Sequence, residues 1–256
     1  MDRAHAYYIQ SVIQMRNRYI PRAHKLFAMA LNKMFAPVYQ QFEQTHATKG
    51  LTDLIKETAL VPAFKLIYSE VGKTFFKAEY TGLGGKSMKA DSYDDWLDGQ
   101  VSDFIQSEGA DYVTKITETM RKQLKNYIED NMINTGENIG AAKLASDLRK
   151  YFDSFNKVKA MTVARTEVGR ASNWAGQTSR ERFSDDNNVE LVKTWLHAGS
   201  SDDDRESHVE ASGQTVGNDA HFEIDGGYEP LYPQDGSGGA EEEANCNCTV
   251  FASRKK

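Results

Sequence analysis

Helical periodicity runs through this chain as far as Phe183 and then stops, and that break restricts the architectures open to it. Apolar residues recur at three- and four-residue steps from Tyr8 through Val12, Met15, Tyr19 and Leu26 to Met34 and Val38, the spacing of one helix face. The pattern returns over residues 51–80, 96–105, 112–133, 139–152 and 158–183. Pro21 predicts a break in the first of these helices, because proline lacks the N–H and collides with the preceding turn; Pro37 predicts a kink or a new start. Asn134, Thr135 and Gly136 supply a helix stop. Gly82 to Ser87 spells GLGGKS, but a phosphate-binding loop needs a preceding buried strand and a wider glycine spacing, so the stretch reads as a turn.

Beyond residue 184 the chemistry changes. Eight of the nineteen glycines fall in the last 73 residues, together with Pro230 and Pro233, which predicts turns and short strands. Residues 189–196, 222–224 and 249–251 are the strand candidates. Large apolar side chains are sparse here, so this segment needs either the last long helix to pack on or a metal to staple it. The expected fold class is therefore α+β: a helix-rich N-terminal body followed by a small, loop-rich mixed α/β unit.

Charge divides at the same place. The net charge of −6 resolves into 26 basic against 21 acidic residues (+5) over 1–183 and 5 against 16 (−11) over 184–256. An acidic C-terminal unit repels phosphate, so a contact with nucleic acid would fall to the helical body, where Arg16, Arg18, Arg22 and Lys25 cluster near Tyr7, Tyr8 and Tyr19. A solvated helix face explains the same cluster. No membrane span is visible and the first residues lack the apolar core of a signal peptide, which predicts folding in a cytoplasm.

Three of the six histidines and both cysteines lie in the last quarter. Cys246 and Cys248 are one residue apart, a spacing that rarely forms a disulfide. Three readings are open. Cys246 and Cys248 with His208 and one of His197, His221 or Asp204 would give the four ligands of a structural zinc. The thiols could instead be small buried apolar groups, with His208 and Arg205 holding loops by hydrogen bonds and Arg205 pairing with Glu167 or Asp235. A third reading makes His208 with Cys246 or Cys248 a metal-dependent or thiol hydrolase. On the preceding helix, Glu167 and Arg170 are spaced to pair across one turn, and Trp174 and Trp195 are the aromatic candidates for packing helix against C-terminal unit.

Several separated blocks carry a resemblance. Ala164-Arg165-Thr166-Glu167, Arg170, Asn173, Trp195, His197, Arg205, His208, Gly213, Phe222, Tyr232-Pro233-Gln234-Asp235 and Asn245-Cys246-Asn247-Cys248 stand in an order and spacing that resembles the phage Mu protein F-like family of minor head proteins. The resemblance covers roughly residues 135–256 and sets a division into a helical region, 1–134, and a Mu F-like region, 135–256, with helices over 139–183 and a β/loop module over 189–256. It implies a structural role: a minor capsid protein of a tailed bacteriophage or prophage, in the host cytoplasm during assembly and then inside the virion head. Its implied partners are the portal or major capsid protein, with packaged DNA as a further contact and no small-molecule substrate. Arg165, Glu167, Trp195, Arg205, Gly213, Asp235 and Asn245 are its implied structural residues. Two places depart from the pattern. Ser201 and Asp203 stand where relatives carry the first residues of DxRxRxxH, and Asn247 replaces the arginine of NCRC.

Overall fold

Two helices, each more than forty residues long, frame the protein, whose computed structural model describes residues 3–86, 90–133, 141–199 and 204–255. Helix α1 (Arg3–Thr45) and helix α5 (Ala141–Asn187) run antiparallel. Arg16 meets Ser172, Asn32 meets Asn156, and Arg149 meets Glu43. At 1.5 Å per residue they are about 65 and 70 Å long. The expected break at Pro21 does not occur, nor does a new start at Pro37: α1 continues through both. Both prolines face solvent, so the carbonyls they leave unpaired are hydrated, while the buried stripe through Val12, Phe27, Leu31, Phe35 and Phe42 packs on both sides of each.

Helix α5 is likewise unbroken at Asp153 and Ser154, where two helices were expected. Every residue from 166 to 177 is buried. Helix α1 covers one flank, and α2 (Val61–Gly82) covers another. The segment 51–60 forms two short 3₁₀ turns, and α2 begins with Pro62 in its first turn, where the missing N–H costs nothing. Helices α3 (Ala90–Gln106) and α4 (Glu108–Ile128) follow; Glu108 and Asp111 open α4 and suit its positive end. The last turn, Glu129–Ile133, is π-helical. Trp174 packs into the helical body, with Phe104 at 5.2 Å and Tyr68 at 6.2 Å between ring centres, and sits over Gly72 of α2.

Strand β1 (Leu191–Leu196) is the middle of a three-stranded antiparallel sheet, between β2 (Thr215–Gly217) and β3 (Thr249–Arg254). Trp195 pairs with Val250 and Lys193 with Val216. Helix α6 (Glu206–Glu210) and helix α7 (Gly239–Glu243) lie in the connections. The strand expected at 222–224 reduces to a single bridge, Ile224 to Tyr228, because Gly226 and Gly227 turn the chain at once. One hydrophobic core extends from Val12 and Phe27 through Phe64 and Val168 to Trp195 and Val250. The fold is thus a helix-rich body carrying a small mixed α/β unit. No described helix is long and apolar enough to cross a membrane. The helix stop at Asn134 to Gly136, the 134/135 boundary, Ser87, Ser201 and Asp203 lie outside the described residues.

Candidate metal centre and the ion cluster beneath it

Thr166, Arg170, Asn173 and Gln177 recur at steps of four, three and four, one stripe of α5. A polar stripe at full burial must find partners, and these find them in the backbone of the C-terminal unit. Asn173 Nδ2 donates to the carbonyls of Pro233 (3.0 Å) and Cys248 (3.2 Å), and Gln177 Nε2 to that of Asn218 (3.2 Å). Thr166 Oγ1 accepts from the Asn245 N–H at 3.1 Å. Asn245 stands at φ +57°, a left-handed conformation that asparagine tolerates better than most residues.

Arg170 is the hub. Its guanidinium donates to Glu167, to Glu243 Oε2 (2.6 Å) and to the Gln234 carbonyl (3.0 Å), and lies 3.7 Å from the centre of the Tyr112 ring. Tyr68 donates to the other Glu167 oxygen at 2.9 Å. Glu243 Oε1 accepts from the N–H groups of Gly236 and Gly238. Asp235 ties its own loop, accepting from Leu231 N–H and from Ser237. The expected pairing of Glu167 with Arg170 is present, and both are buried. Arg205 pairs with neither Glu167 nor Asp235: it donates to the carbonyls of Glu241 (2.6 Å) and Ala244 (3.0 Å), fixing the end of α7. Arg165 is exposed, on the opposite side of α5 from this network.

Above this cluster β1, α6 and the loop before β3 bring the histidines and cysteines together. His208 Nδ1 lies 3.5 Å from Cys246 Sγ and 3.6 Å from Cys248 Sγ, and those three atoms are all within 4.8 Å of one another. His197 Nδ1 is 3.6 Å from Cys248 Sγ. Each ring is held from behind by a carboxylate: His208 Nε2 is 3.0 Å from Glu242, and His197 Nε2 is 3.3 Å from Asp204. Both thiols are buried. The Cys248 contact, with His208 beside it, holds the Cys246 thiol well below its ordinary range; the same contact, with burial, pushes Cys248 up. Burial works against charge on His208, but its contacts with Cys246 and Glu242 outweigh this and move it upward. His221 is elsewhere: it is exposed, with Nδ1 against the Glu229 carbonyl at 2.7 Å. Gly213, at φ +97°, turns the chain out of α6 so that its N–H reaches the Trp195 carbonyl at 2.8 Å. The Trp195 ring is wedged edge-on between His208 and Phe222.

Arg16 reaches this centre from α1. It is only 4% exposed, so it does not belong to a phosphate-facing surface as expected from its neighbours Arg18, Arg22 and Lys25, which do point outward. Its guanidinium donates to Ser172 Oγ (2.7 Å), Asn173 Oδ1 (2.7 Å) and the carbonyls of Asn247 (3.0 Å) and Cys248 (3.3 Å). Burial lowers it to about 10, which leaves it charged at neutral pH. Its position on the apolar stripe, four residues after Val12, is the signal that separates it from the surface arginines. Lys193 carries the same signal on β1: it points inward between Leu191 and Trp195, donating to the carbonyls of Asn218 (2.6 Å) and Leu231 (2.8 Å).

No family model matches the chain, and no solved structure matches it. It is similar to an uncharacterized protein of Bacillus subtilis (strain 168), YqbB, at 30% identity over 142 residues. The match covers 55% of this chain and 45% of that protein, so the chain spans less than half the relative's length.

Proposed function

We propose that this protein is a structural component of a tailed-phage or prophage head, a minor capsid protein acting inside the head near the portal during assembly or DNA delivery. The observation that carries the reading is where the motif side chains go. Blocks scattered from Thr166 to Cys248 converge on one face of α5 and bond to each other and to loop backbone, as Asn173, Arg170 and Arg205 do. The cavity that His208 shares with the two thiols is about 20 Å³, about the space of one water molecule. That favours motifs serving a fixed shape, which is what a docking component needs. The resemblance to Mu F-like minor head proteins supplies the particle, and the portal or major capsid protein supplies the surface to dock on.

The acidic C-terminal unit disfavours phosphate, so any packaged DNA would meet the helical body, where Arg18, Arg22 and Lys25 are exposed and Arg22 also contacts Glu70 at 2.6 Å. Deleting the gene from its phage or prophage and counting particles, packaged genomes and infectious units tests the reading. Defective heads or non-infectious particles are expected. Normal particle numbers with normal infectivity would overturn it, as would the protein's absence from purified heads.

A further inference from the structure

We propose that Cys246, Cys248, His208 and His197 bind one zinc ion, and that this ion fastens the C-terminal unit to α1 as well as closing its own loops. The inference stands apart from the particle the protein serves, since it rests on ligand geometry alone.

Zinc in a tetrahedral site takes sulfur at about 2.3 Å and imidazole nitrogen at about 2.0–2.1 Å, which fixes the sulfur-to-nitrogen edges of the tetrahedron at about 3.5–3.6 Å. Of the four such edges in a site of two cysteines and two histidines, three are 3.5, 3.6 and 3.6 Å here; His208, Cys246 and Cys248 form the tight triad, and His197 joins it from the Cys248 side. Thiol-to-imidazole hydrogen bonds, Cys246 to His208 and Cys248 to His197, could give two of these distances but not the third, from Cys248 to His208. His208 Nε2 faces the Glu242 carboxylate and His197 Nε2 faces Asp204, so in the neutral rings those nitrogens carry the proton and each Nδ1 presents a lone pair to sulfur. The single lone pair of His208 Nδ1 faces two sulfurs at nearly equal distance. One cation between them satisfies all three atoms. Carboxylates behind both ligating imidazoles are the usual arrangement around zinc, where they fix the tautomer and raise ligand basicity. Two thiolates and two imidazoles also exclude the hard cations, magnesium and calcium, which take oxygen.

The four ligand-bearing side chains line the same small cavity, together with Asp204, Arg205, Asn245 and Asn247. A site with four protein ligands has no position for a substrate, which makes it structural. Its reach extends beyond the loops. Arg16 donates to the carbonyls of Asn247 and Cys248, the backbone between and beyond the two sulfur ligands. Fixing that backbone fixes the acceptors that hold α1.

The test uses the full chain, produced with zinc in the medium and freed of loosely bound metal. Elemental analysis should find one zinc per chain in the wild type and in His221→Ala, and none in Cys246→Ser with Cys248→Ser. Because the double variant could fail to fold, cobalt(II) replacement in the wild type gives a second reading: a tetrahedral spectrum with thiolate-to-cobalt charge transfer, whose ligand-field bands shift and whose metal affinity falls in His197→Ala, where water takes the vacated position. Hydrogen exchange after chelation should accelerate at β1, β3 and the α1 turn around Arg16, with α2 and α4 unchanged. Folded wild type that takes up no stoichiometric zinc, zinc retained by the double cysteine variant, an octahedral cobalt spectrum, or exchange at Arg16 untouched by chelation would each overturn the proposal.

Discussion

Replacing Arg170 with methionine should unfold this protein more readily than any change on its surface. The Arg170 side chain is 6% exposed, and its carboxylate partners Glu167 and Glu243 are 3% exposed each. Methionine fills most of the volume but removes three charge-assisted donors and leaves two carboxylates facing each other without a cation. Breaking a buried pair from one side costs about 3–5 kcal/mol. In a chain of this length that lowers the melting temperature by roughly 6–20 °C. The deficit should also depend on pH. Without the guanidinium, burial and mutual repulsion favour the protonated form of one carboxylate in the folded state, so the folded state binds more protons than the unfolded one. Stability of the variant then falls as pH rises through that window, and the gap to wild type is wider at about pH 8 than at about pH 5. Urea unfolding followed by circular dichroism at both pH values measures the gap. Adding Glu167→Gln and Glu243→Gln should recover part of it, because no charge then remains stranded. A deficit below about 1 kcal/mol, or one independent of pH, would show that the cluster is hydrated, and the reasoning would fail.

Two further changes test the contacts around this cluster. Gly169→Ala would place a methyl 2.4 Å from Gln234 Oε1, whose amide nitrogen donates to Thr166 and Glu243 carbonyls, so it should cost about 1–3 kcal/mol despite alanine's better helix propensity. Gly99→Ala, with open space around it on an exposed turn of α3, should stabilise; thermal unfolding of the pair fails the argument if the signs agree. Lys193 is pushed down to about 7 by burial, with Arg180 adding to it. Between about 7 and its unfolded value near 10.4 the unfolded chain binds the extra proton, so wild-type stability should rise with pH relative to Lys193→Gln; unfolding energies showing a flat difference would contradict this.

What the sequence disclosed follows from what repeats locally. The end of the helical pattern at Phe183 lies within one turn of the end of α5, and the β-rich run after it is the central strand. The Glu167–Arg170 spacing and the convergence of His208 with both cysteines were also legible, because one is helix arithmetic and the other is residue chemistry. What escaped depends on distant partners. Prolines 21 and 37 announce breaks that packing against α5 overrides, and nothing local says that they face water. Strand β2 is three residues long and exists because β1 offers it an edge. Arg16 looks like its exposed neighbours until the carbonyls of Asn247 and Cys248 are placed against it. His197 could be preferred to His221 only once Asp204 and Cys248 were seen on its two sides.

The bonds from Arg16 to Asn247 and Cys248 span 231 and 232 positions of the chain. At roughly 5–20 residues per second, a ribosome needs about 10–50 s to make that interval. Until Ser172 and Asn173 of α5 are made, the first helix carries a cation set into its apolar stripe with no acceptor, and from then to the end of the interval it has only those two side chains. That stripe cannot seal dry, because the guanidinium, short of its last acceptors, holds water against it. The long helices can find each other early, yet their shared interface stays loose at one end until β3 emerges. A residue that looks like a defect in a helix thus acts as a timer, delaying the closing of the N-terminal half until the last strand exists to receive it.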